Sequence, residues 1–212
     1  SALTITAMSN VSVFNTVTFG TSFHIPKGSF VSTLGSAVVS MTAGVTGAGV
    51  LSSSGTQLQL GNVNMSGALN CVGGTTEFTA ATSTVGILTL IGGTTLANSG
   101  VTATMLNLMG GIIVGQSPIT GVKMYAKTQG INLKAPIVVS TSAYIDASLF
   151  NFGQEGSVKL SSTCASSVVG LFQLTGNAAS SGLRNDGTIT ASAKIASQNI
   201  NVAGTGTINV QT

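Results

Sequence analysis

Short runs that alternate apolar and polar residues recur along this chain, and their spacing constrains the fold more than any other feature. Leu3-Thr4-Ile5-Thr6, Leu58-Gln59-Leu60, Leu88-Thr89-Leu90, Leu106-Asn107-Leu108, Ile131-Asn132-Leu133, Val158-Lys159-Leu160 and Ile208-Asn209-Val210 all set polar residues between apolar ones. A period of two marks a strand with one buried face. Turn signals follow the runs: Gly92-Gly93, Asn98-Ser99-Gly100, Gly110-Gly111 and Asn185-Asp186-Gly187. Capped stripes of period 3.6 are missing, so helices are not expected. One apolar landmark per unit gives Leu51, Leu69, Leu88, Leu106, Ile131, Phe150, Phe172, Ile189 and Ile208. Successive landmarks are separated by 18, 19, 18, 25, 19, 22, 17 and 19, with a mean close to 20.

A recurrence of that length, built from short strands and turns, is what one rung of a parallel β-helix needs. The chain is therefore expected to be all-β: a single-domain β-solenoid of about ten rungs of about 20 residues, stacked about 4.8 Å apart. A pilin-like β-sandwich is the alternative fold, and it predicts longer strands and a bonded cysteine pair. Composition fits the solenoid. Of 212 residues, 84 are Gly, Ser or Thr, and only 11 are charged. Stacking a charge on its like at every rung is repulsive, so low charge follows from the architecture. The 43% hydrophobic content argues against disorder.

In regular rungs Cys71 and Cys164 lie four to five rungs from each other. A disulfide needs Cα atoms within about 7 Å, so the pair is expected as buried free thiols, with intermolecular bonding as the alternative. Residues 1–48 differ in character from the body at 49–212. Phe14, Phe19, Phe23 and Phe30 are half of the eight phenylalanines and precede or flank the break at Pro26-Lys27-Gly28. This segment is expected to cap the solenoid or to act as an assembly arm. Thr207, Ile208, Asn209 and Val210 still read as strand, which suggests head-to-tail stacking of copies into a filament.

Catalytic chemistry finds little support. The four acids are Glu77, Asp146, Glu155 and Asp186, and the one histidine is His24. No metal-ligand spacing occurs, and no cofactor is expected. The Gly110-to-Gly115 run lacks the Lys-Ser/Thr of a phosphate loop. Lys123, Lys127, Lys134, Lys159, Arg184 and Lys194 are too scattered for a nucleic-acid surface. No apolar run approaches the length of about 18 residues that a membrane span requires, so no transmembrane helix is expected. Tyr125 and Tyr144 sit about one rung from each other and could stack as a small sugar-binding patch. Thr-x-Thr pairs such as Thr82/Thr84 and Thr102/Thr104 raise ice binding, but their spacing matches the rung at only one step. The chain opens on Ser1, in keeping with a mature, processed form or a fragment.

The stretch Leu90-Ile91-Gly92-Gly93-Thr94-Thr95-Leu96-Ala97-Asn98-Ser99-Gly100-Val101-Thr102-Ala103, followed by Leu106-Asn107-Leu108, resembles repeats of β-helical surface adhesins. These are the filamentous-haemagglutinin-like and autotransporter-passenger proteins. Leu183-Arg184-Asn185-Asp186-Gly187-Thr188-Ile189-Thr190-Ala191 is similar to them too. The resemblance implies a right-handed parallel β-helix, export to the cell surface or beyond, and a structural or adhesive role without a cofactor. Expected partners are further copies of the chain, with glycans or cell surfaces where the role is adhesive. A carbohydrate- or ice-binding solenoid module is the alternative to a fibre or surface-layer subunit.

Overall fold

The computed structural model describes residues 5–128, 130–146, 149–152, 156–168, 172–176, 182–191, 195–198 and 201–210. The chain is all-β, a single-domain parallel solenoid of about nine turns with rungs of about 19 residues. Every described strand pairing is parallel, and each strand pairs with the strands one turn before and after it. No helix among the described residues is long and apolar enough to cross a membrane.

Each turn visits three faces. Face A begins with Asn10–Val13, Phe30–Leu34 and Val50–Ser54 and ends with Ala165–Val168, Thr188–Ala191 and Thr207–Val210. Among the described residues, face B is a ten-stranded sheet running from Val17–Thr18 to Ile195–Gln198. Face C begins with Phe23–Ile25 and Val45–Gly47 and ends with Ser157–Leu160, Gly182–Asn185 and Asn201–Ala203. In the middle turns one long strand serves faces C and A together, as in Val63–Cys71, Thr82–Leu90 and Ile119–Lys127. The bend between the two faces coincides with register shifts at Val85/Ile87 and Gly121/Lys123, where an extra residue turns the strand.

The sequence alternation becomes ladders. Inward on face A, Val31, Leu51, Leu69, Leu88, Leu106 and Met124 stack in register and are buried. Outward between them run Ser32, Ser52, Asn70, Thr89 and Asn107. Polar side chains bond along the axis: Ser12 to Ser32 at 3.2 Å, and the Asn107 amide donating to Thr89 at 3.2 Å. On face B the Asn151 amide donates to Asn132 at 2.7 Å.

The corner leading from face A to face B is a column of glycines. Gly55, Gly74, Gly93 and Gly111 hold φ values of 77°, 72°, 71° and 93°. A Cβ on Gly93 would overlap the Gly74 carbonyl oxygen, so both the turn and the rung spacing demand glycine there.

The landmark residues do not all lie on one face. Leu51, Leu69, Leu88 and Leu106 are true register partners on face A, as are Ile189 and Ile208. Ile131 and Phe150 pair with each other on face B instead. The intervals of 25 and 17 arise where the series jumps from one face to the other. The actual face A successors of Leu106 are Met124, Ala143 and Ser166. Ala143 and Ser166 are small residues, while Phe150 and Phe152 supply fully buried bulk from face B.

Candidate functional site

On the outer side of face A the polar ladder changes character at two rungs. Asn107 is followed by Tyr125, Tyr144, Ser167 and Thr190, each in register with the next. The two tyrosine rings lie nearly parallel, at 4° with centroids 5.1 Å apart, and both are half-buried. The one-rung spacing read from the sequence is thus a direct stack. Position 167 carries a serine, so the ladder drops from a ring to a small hydroxyl one rung further on.

Beside the stack runs a groove of about 380 Å³. Lys123, Ser142 and Ala165 form the neighbouring column, in register with one another, and they line it opposite Tyr125, Tyr144 and Ser167. Lys127 and Asp146 form the column on the other side of the tyrosines and pair at 3.6 Å. No ion pair of Lys123 exists among the described residues. Both tyrosines and three of the 11 charges therefore fall on face A within two adjacent rungs.

The remaining candidates are dispersed. Phe23 is buried on face C and its ring lies 4.5 Å from that of Phe19, while Phe14 is 65% exposed. These three border a hollow of about 600 Å³ at the first described rung. Phe30 instead stands outward on face A, at 39% exposure. The segment read as a cap or arm thus contributes strands to the same ladders as the body. At the other end, Thr207–Val210 pairs with Thr188–Ala191 alone among the described strands. Ile208 there continues an inward ladder yet is 42% exposed, as Val202 is at 45%.

One surface feature went unread in the sequence. Alternation predicts polar outward positions, but two outward columns of face A are apolar. Phe30, Val50, Ala68, Ile87 and Met105 form one, and Val72, Ile91 and Met109 the other. The turns Val72-Gly73-Gly74, Ile91-Gly92-Gly93 and Met109-Gly110-Gly111 were the available signal, since an apolar residue precedes the same corner each time.

The acids are engaged locally. Glu77 accepts from the Asn98 amide at 3.0 Å and from Gln59 at 3.5 Å. The Arg184 guanidinium, 2.8 Å away, draws the Asp186 carboxyl below its ordinary range. Glu155 and Lys194 lie outside the described residues. Among the described residues no group of three His, Cys, Asp or Glu could hold a metal. His24 is exposed, with Nδ1 3.0 Å from the Thr46 hydroxyl. Thr84, Thr102 and Thr120 stack on face C, whereas Thr188 and Thr190 lie on face A, so the Thr-x-Thr pairs share no single plane. Cys71 and Cys164 are both buried and free. Comparison with known proteins returns no matching family model, no matching curated protein and no matching solved structure.

Proposed function

We propose that this chain is a structural unit of an extracellular fibre or surface layer, related in role to β-helical adhesins and acting through shape and self-association rather than catalysis. The observation that carries the reading is the state of the two terminal described rungs. At one, inward-facing Val202 and Ile208 are nearly half exposed; at the other, a hollow opens onto Val11, Val13, Val17 and Phe19. A further rung laid on either end buries these groups and pairs open strand edges. Supplied by a second copy, such a contact is heterologous and propagates. The sparse charge and the apolar columns of face A offer copies little electrostatic resistance to packing. Negative-stain microscopy over a range of concentrations tests the proposal. Rods that lengthen with concentration support it, and uniform particles of one length at every concentration refute it.

A further inference from the structure

The Tyr125–Tyr144 stack and its groove lie on a flank of the solenoid, remote in role from the end contacts just discussed. We propose that this groove binds an acidic oligosaccharide, with one sugar ring packed beside Tyr144 over Ser167 and the anionic group of an adjoining sugar at Lys123, two rungs away. Three observations converge on that ligand.

The ladder itself defines the space. Register places residue 167 directly after Tyr144 in the outward column, and a serine there leaves the volume that a third ring would fill. Aromatic walls with a few placed polar groups are the usual make-up of a small-ligand site. The polar groups are hydroxyls: Ser142, Ser167, Thr190 and the two phenols border the groove. A purely apolar ring would desolvate them without partners, at a cost for each. A pyranose has apolar ring faces for the tyrosines and hydroxyls for the serines. The only charge in the lining is Lys123, and no ion pair engages it among the described residues. A cation left uncompensated beside neutral hydroxyls selects an anionic sugar over a neutral one. The lining crosses five rungs from Met105 to Thr190, about 19 Å at the usual strand spacing, which suits an oligomer.

The molecule carries its own reporter. It has two tyrosines and no tryptophan, so its tyrosine emission comes from this stack alone and is not masked by tryptophan. The full chain is titrated with an oligogalacturonate, a sulfated heparin-type oligosaccharide and a neutral malto-oligosaccharide of matched length. Expected is a saturable change in tyrosine emission with an acidic probe, at least tenfold tighter than with the neutral one and weakened by salt. The tighter acidic arm identifies carboxylate or sulfate as the recognised group. Lys123→Gln is expected to weaken acidic binding at least tenfold. Ser167→Tyr, which fills the vacant ladder position, is expected to abolish it while far-ultraviolet circular dichroism stays unchanged. No saturable change with either acidic probe overturns the proposal. So does equal affinity for neutral and acidic sugars, or full affinity in Lys123→Gln. Because the readout is independent of rod formation, failure here leaves the filament proposal standing, and the reverse holds.

Discussion

Replacing Gly93 with alanine tests the corner column directly. Its φ of 71° is left-handed, which costs a residue with a Cβ about 1–2 kcal/mol. The new Cβ would overlap the Gly74 oxygen and stand 2.8 Å from the Gly73 carbonyl carbon and the Gly74 nitrogen. All three are backbone atoms, so the rung must give way rather than a flexible side chain. Relief strains two ladder bonds at this corner: Thr94 N–H to the Gly74 carbonyl at 2.8 Å, and Ile112 N–H to the Gly93 carbonyl at 2.9 Å. Losing both adds about 1–3 kcal/mol, for a total of about 2–5 kcal/mol, a large share of a typical domain's stability. Gly100→Ala is the control, because nothing lies within 4 Å of its added Cβ and its φ is not left-handed. It is expected to stay within about 1 kcal/mol of the parent. Urea unfolding followed by circular dichroism measures both. A Gly93→Ala loss below about 1 kcal/mol, or an equal loss in Gly100→Ala, would refute the reasoning.

Two further outcomes follow from the core. Burial pushes the Cys71 thiol from 9.0 up to about 11, with the Thr76 and Thr95 hydroxyls pulling less strongly the other way. A folded value above the unfolded one means the stabilisation is complete below pH 9 and is lost as pH rises through 11, about 2–3 kcal/mol in all. Melts from pH 8 to 11 should therefore fall less steeply in Cys71→Ala than in the parent, and parallel curves would count against it. Leu88→Ala, at a fully buried ladder position, should cost about 2–5 kcal/mol. Asn107→Ala loses one outward bond and should cost at most about 1.5 kcal/mol; urea midpoints in the opposite order would contradict the assignment of faces.

Much of the fold could be read from residues because a solenoid writes its period into the chain. Leu58-Gln59-Leu60 and Leu88-Thr89-Leu90 became strands with both leucines buried, as alternation requires. The face to which a strand belongs was harder to read, since inward positions on all three faces carry similar residues. Ile131 and Phe150 joined a series that began on face A for this reason. The stack of Tyr125 on Tyr144 was legible from their spacing. Its groove was not, because the groove depends on small residues at 142, 165 and 167 whose columns emerge only from the register. The apolar columns of face A were hidden in the same way. Each member looks like an isolated surface residue until three to five rungs align it.

The parallel ladders also determine how this architecture can change in size. Thr94 pairs with Ile112 in the next turn, and the pattern of Gly93 before Thr94 repeats as Gly111 before Ile112. Excising the intervening turn would rejoin equivalent corners and leave every other rung with neighbours of the same kind on both sides. Removing only part of a turn would set a strand of one face against the corner of another. Length in such a molecule is therefore counted in whole turns, and gain or loss of sequence is tolerated as a quantum rather than a continuum.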